Sequence, residues 1–145
     1  MDVCQTRFSL RVVLPVLAIG ILAAGCDILM PSDLTDAQVA GTWTLSSIQP
    51  PGQSAQTVPG GATYTLTLAD GNLSTRADCN TCAGRYSLTD KTPTAGPALA
   101  CTRAACPTIA FENAYTSILS GESTVTASST ALTLTSSRGT LRYTR

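Results

Sequence analysis

Apolar and polar residues alternate along much of this chain, and the alternation stops at glycine-, proline- and aspartate-containing turns. The clearest stretch is Thr63-Tyr64-Thr65-Leu66-Thr67-Leu68, where Tyr64, Leu66 and Leu68 share one face and the threonines share the other. Asp70-Gly71 then reads as a hairpin turn, and Asn72 to Asp78 as a second strand with Leu73, Thr75 and Ala77 on one side. Upstream, Thr42 to Ile48 reads as a strand between Gly41 and Pro50-Pro51-Gly52, followed by a polar loop from Gln53 to Gly61. Downstream, residues 84–88 and 96–101 flank a turn-rich loop, Thr89 to Ala95, and predict another hairpin. Three closing strands are predicted at Ser123–Ala127, Ala131–Ser136 and Thr140–Thr144, the last two joined by Ser137-Arg138-Gly139. One segment has a different period. Phe111, Tyr115, Ile118 and Leu119 fall at i, i+4, i+7 and i+8, which predicts a helix over 108–120. Thr108 would cap it, Pro107 suits its approach, Glu112 favours its N-terminus and Gly121 stops it. The sum is an α+β, mostly β domain: a curled antiparallel sheet or partly open β-barrel of about eight short strands, with one helix over an opening or face.

The first 25 residues follow a different pattern. Arg7 and Arg11 precede an apolar run from Val12 to Leu22, then the small residues Ala23-Ala24-Gly25, then Cys26. Positive, apolar and small is the order of a secretory signal, and the apolar run is short of the ~20 residues of a membrane span. Leu22-Ala23-Ala24-Gly25-Cys26 resembles a lipobox, with leucine one place further from the cysteine than usual. The resemblance implies a diacylglyceryl group on the Cys26 sulfur and a further acyl chain on the freed amine, and so a bacterial lipoprotein anchored to a membrane. The expected organisation is a signal at 1–25, a lipid-anchored tether at 26–40 and one domain at 41–145. The tether is polar, with Pro31, Ser32, Asp33, Thr35, Asp36 and Gln38.

Charge and composition narrow the function classes. Without the signal the chain loses Arg7, Arg11 and Asp2, leaving seven basic and eight acidic residues and a charge of −1. That gives no electrostatic footprint for nucleic acid. There is no histidine, which removes the commonest general base, the Ser–His pair and most catalytic zinc sites. The carboxylates Asp70, Asp78, Asp90 and Glu112 form no recognisable acid–base pair. The expectation is a non-enzyme without cofactor or metal.

Six cysteines are present; Cys4 leaves with the signal and Cys26 takes lipid. Cys79, Cys82, Cys101 and Cys106 remain, an even set that in an exported chain predicts two disulfides. Facing residues of a hairpin have nearly constant index sums. Cys82 with Cys101 gives 183 and Cys79 with Cys106 gives 185, whereas the crossed pairing gives 180 and 188. The nested pairing is favoured, with the local pairing Cys79–Cys82 and Cys101–Cys106 next. The same spacing also fits a structural zinc site, and Cys79-Asn80-Thr81-Cys82 has the form of a redox CxxC motif.

In order along the chain, these landmarks resemble the META/HslJ domain family, named partly for a heat-shock lipoprotein. The residues that carry the resemblance are Gly41-Thr42-Trp43-Thr44-Leu45, Tyr64 to Leu68, Asp70-Gly71, Cys79-Asn80, Gly84-Arg85-Tyr86, Thr102-Arg103-Ala104-Ala105-Cys106, the helix with Glu112, and Leu132-Thr133-Leu134 to Tyr143. Asp78 stands where the family commonly has glycine, and Cys82 and Cys101 are additional to the simplest pattern. The resemblance implies a small β-rich envelope domain associated with heat stress and novobiocin tolerance, with no catalytic activity and no defined ligand. An interaction or stress-tolerance role in the cell envelope is therefore expected, with the protein facing the periplasm or exterior. The alternative is a lipocalin-like carrier of a small apolar ligand, because Gly41-x-Trp43 on a first strand also resembles the lipocalin signature. A carrier needs an apolar cavity of about 300 Å³ or more. Otherwise Trp43 plugs the barrel bottom, under Arg142.

Overall fold

The strands form where the side-chain period is two. Tyr64–Ala69 (β3) and Asn72–Ala77 (β4) bury alternate residues and pair in register from Tyr64 opposite Ala77 to Ala69 opposite Asn72. The turn between them holds Asp70 at φ 50° and Gly71 at φ 73°, the two left-handed residues of a tight hairpin. Ala131–Ser136 (β9) and Gly139–Thr144 (β10) form a second hairpin, in which Ser136 opposes Gly139. A computed structural model describes residues 34–89, 92–95 and 98–145. The expected signal, Cys26, the first part of the expected tether and Asp90 lie outside the described residues.

Gly41–Gln49 (β1) lies between the two hairpins, pairing with β3 on one side and β10 on the other. Its inward residues are Trp43, Leu45 and Ile48, a spacing of two and then three. A bulge between Leu45 and Ser47 makes this work: the extra residue reverses the facing of the strand and returns Ile48 to the interior. Asn80–Thr89 (β5) pairs with β4, and Thr124–Ala127 (β8) pairs with β9. Short strands Gln56–Thr57 (β2), Thr92–Ala95 (β6) and Ala100–Cys101 (β7) attach to β1, to the end of β5 and to the start of β5 respectively. The path runs β6-β5-β4-β3-β1-β10-β9-β8, antiparallel throughout. Edge strands β6 and β8 come alongside each other without a ladder, so the sheet curls into a barrel that does not close.

The expected fold class holds, with ten strands rather than about eight. The loop expected at 89–95 contains β6, so the single hairpin expected there is two successive pairings on one edge of β5. The domain also begins before Gly41. Asp36–Val39 forms a one-turn helix (α1) inside the expected tether, and Val39 is fully buried. Gln38 and Thr35 hold that turn through a reciprocal capping box. The long helix is Ile109–Leu119 (α2), with Tyr115, Ile118 and Leu119 buried and Phe111 packed against the core.

The two helices sit at opposite ends of the barrel. Gly41 opposes Leu68, which puts α1 at the Asp70-Gly71 end. α2 lies at the other end, where Tyr64 meets Thr108 and Ser136 donates to the Ile118 carbonyl. Between them the interior is filled by Trp43, Tyr64, Tyr115, Tyr143, Leu66 and Leu132, each at most 1% exposed.

Candidate functional site

The chemistry-bearing side chains gather where β5 begins, beside α2. Asn80 is buried at the first position of β5 and joins three segments. Its Oδ1 accepts from the Ala104 amide at 2.7 Å and from the Thr102 hydroxyl at 2.9 Å. Its Nδ2 lies 3.0 Å from the Ala104 carbonyl, 3.1 Å from the Cys106 sulfur and 3.0 Å from each oxygen of Glu112. The Ala104 amide can only donate, so it fixes which end of the Asn80 side chain is oxygen. The sequence marks Asn80 and Glu112 only as members of a family pattern; the bond between them is set by the fold.

Two disulfides enclose this knot. Cys82 and Cys101 face each other directly in the β5–β7 pairing and are bonded, and Cys79 is bonded to Cys106. The nested pairing is therefore the one observed. All four sulfurs are used, which removes the zinc and CxxC readings. The bridges close segments 19 and 27 residues apart, and each loop of that size is worth about 3 kcal/mol in the chain-entropy picture.

Asp78 explains its departure from the usual glycine. Its φ is +57°, in the left-handed region that glycine enters freely and aspartate tolerates. Here the carboxylate also accepts the Thr108 hydroxyl at 2.7 Å. Thr108 precedes α2 as expected, but its side chain caps no helical amide; its hydroxyl is directed to Asp78 instead. The Tyr64 hydroxyl lies 2.9 Å from Thr108 and therefore donates to it. Burial pushes the Tyr64 phenol above its ordinary value; the negative fields of Asp78 and Glu112 add to this, against the Thr108 bond. Asp70 serves its turn, as expected.

Glu112 does more than favour a helix terminus. It is 6% exposed, and the Asn80 amide is its hydrogen-bond donor. Beside it, α2 and the loop from Leu99 to Ala105 enclose an open groove of 740 Å³. Leu99 forms one wall because Gly84 leaves room: a Cβ at Gly84 would stand 2.9 Å from Leu99 Cδ2. Ile109 forms the opposite rim and is 44% exposed, the one exposed large hydrophobic residue among those described.

Among the described residues, the barrel interior offers nothing comparable. Below Val39, between Leu66, Leu73, Tyr86 and Leu134, the free space is 20 Å³, room for about one water and far short of a ligand cavity. Trp43 plugs this end, as expected, and donates to the Val39 carbonyl at 2.7 Å. Its cover is Arg145, whose guanidinium stands 3.7 Å from the ring centroid. Arg142 points to the outer face and donates to Gln49.

The META domain model matches residues 33–145, from just before α1 to the end of β10. The chain belongs to the META domain family. The match also places residues 33–40 within the META domain, in agreement with buried Val39. A solved NMR structure of a protein from Burkholderia xenovorans is 28% identical, with a TM-score of 0.61, over 81% of this chain and 92% of that one. A second NMR structure, 22% identical with a TM-score of 0.60, covers 77% of this chain and 94% of its own and shares the fold. No curated protein matches the chain. The two disulfides of this META domain fit an oxidising, extracytoplasmic compartment.

Proposed function

We propose that this META domain protein is a non-enzymatic lipoprotein of the bacterial cell envelope, held to a membrane through Cys26, that works through contacts made by its surface. The observation that carries this reading is the filled barrel. A carrier of apolar ligands needs an interior of about 300 Å³ or more, and the described interior leaves 20 Å³. The carboxylates give no acid–base pair either: Asp70 shapes a turn, Asp78 accepts from Thr108 and Glu112 accepts from Asn80. The 740 Å³ groove beside α2 is a concave surface open to a partner. A stress-tolerance role is what the META/HslJ resemblance adds.

The placement of the ends supports the tethered reading. The chain enters the domain at α1, and the groove lies at the opposite, α2 end of the barrel. Ten residues separate Cys26 from Asp36, a reach of at most about 35 Å when extended. The test is fractionation of the full chain against Cys26→Ser. The wild type is expected with the membranes and the variant in the soluble fraction; a variant that still sediments with membranes overturns the anchor.

A further inference from the structure

The groove beside α2 combines a buried carboxylate with apolar walls. Glu112 is 6% exposed and lines the groove, yet its donor is one neutral amide. A carboxylate has about four acceptor sites. The Asn80 Nδ2 has two hydrogens, and the Ala104 carbonyl and the Cys106 sulfur are within its reach as well. Burying a carboxylate costs several kcal/mol unless it is paired or fully hydrogen-bonded. No arginine among the described residues donates to Glu112: Arg76, Arg138, Arg142 and Arg145 donate to other acceptors, Arg85 is exposed on β5, and Arg103 is an exposed residue of the groove loop. Glu112 therefore lines the groove with acceptor sites beyond those the Asn80 amide fills. Leu99 and Ile109 flank the same space.

We propose that this groove binds an alkylammonium group, and that its occupant is a lysine side chain of a partner protein. The ammonium sits on Glu112, and the methylene stem lies between Leu99 and Ile109. Stems of this kind pack along apolar surface while the charged end finds its partner. Geometry favours lysine over arginine. Both Glu112 oxygens are 3.0 Å from the same Asn80 nitrogen, so the amide straddles the edge that a guanidinium fork would need. A compact ammonium needs one oxygen and one direction of approach. Arg103 also lines the groove, but it is exposed, so its charge is screened by solvent.

The inference rests on the groove being a contact surface and is independent of the lipid, so the fractionation test can fail without touching it. The experiment is an amide NMR titration of the full chain in a neutral detergent with both disulfides intact. The probes are Nα-acetyl-lysine methyl amide, its arginine counterpart and the uncharged norleucine counterpart. The lysine probe is expected to shift the Asn80 side-chain amide and the Ile109, Asn113 and Thr116 amides. The norleucine and arginine probes, and the lysine probe with Glu112→Gln, are expected to bind at least about ten-fold more weakly, a difference of about 1.4 kcal/mol. An equal response to norleucine, an unchanged response in Glu112→Gln, or no response to lysine overturns the site. Arginine binding as tightly as lysine overturns the ammonium assignment. If Glu112→Gln unfolds, Ile109→Ser at the exposed rim decides: several-fold weaker lysine binding at unchanged melting temperature supports the site, and unchanged binding overturns it.

Discussion

At the scale of single residues, the parity of a strand decides which side chain can touch which. Leu141 and Tyr143 of β10 face the interior, so Arg142 must face outward, away from Trp43. Arg145, past the end of the strand, is free to fold back, and it donates to the Ala40 carbonyl while covering the indole. Trp43 is the only tryptophan, so its emission reports this contact directly. Arg145→Ala is expected to shift that emission to the red and to cost about 0.5–1 kcal/mol, the range of a cation–π contact near the surface. Unchanged emission would mean that the arginine is no cover. The plug itself was legible in the sequence, from Gly41-x-Trp43 on an apolar strand face. The cover was not, because pairing Trp43 with Arg142 ignores the side of the sheet on which each stands. The Asn80–Glu112 contact was not legible either, since it spans 32 residues and depends on where the loop before α2 lies.

Among elements, those with a sustained period were legible and those held by neighbours were not. β3, β4, β9, β10 and α2 each carry a repeated two-residue or 3.6-residue pattern, and each forms close to its expected limits. Helix α1 has four residues and β2 and β7 have two each, too short for any period to show. They exist because the finished barrel gives them partners: Val39 has a cavity to fill, and Cys101 has Cys82 opposite. The β9–β10 turn shows how strictly an element boundary can be set. Gly139 has φ +133°, and a Cβ there would press on the Gln49 carbonyl oxygen of β1 and on Ile118 of α2. Gly139→Ala is therefore expected to destabilise by about 2–4 kcal/mol, combining a disfavoured backbone angle with overpacking. The measurement is the urea midpoint, with Gly52→Ala as control: Gly52 also has positive φ but open space around it. A smaller loss at Gly139 than at Gly52 would contradict the packing argument.

For the molecule as a whole, a line of hydroxyls runs through the core. Tyr143 donates to Tyr115, Tyr115 lies 2.6 Å from Thr75, and Thr75 donates to the Thr65 carbonyl. Burial pushes the Tyr115 phenol up to about 12, and burial with the neighbouring Tyr115 carries Tyr143 well above its ordinary value. In the unfolded chain both ionise near 10.0. Above that pH the unfolded state releases protons that the native state keeps, so stability falls as pH rises. Tyr115 alone accounts for about 3 kcal/mol, present below pH 10 and lost by about pH 12. Urea midpoints followed with phenolate absorbance across that window should fall together, with no phenolate from the core before unfolding; a midpoint that does not move would show the tyrosines to be accessible. The overall class, an α+β, mostly β curled sheet with a helix over one end, was legible from the alternating runs and the single helical stripe. The groove was not, because it lies between a loop and a helix that only the finished fold brings together. Residue 145 packs against residue 40, so both ends of the described domain leave the barrel at the same pole. A tag, linker or solid support attached through either end pulls from that pole, so display on a bead or sensor chip presents the opposite pole, with Glu112 and its groove, to the solution.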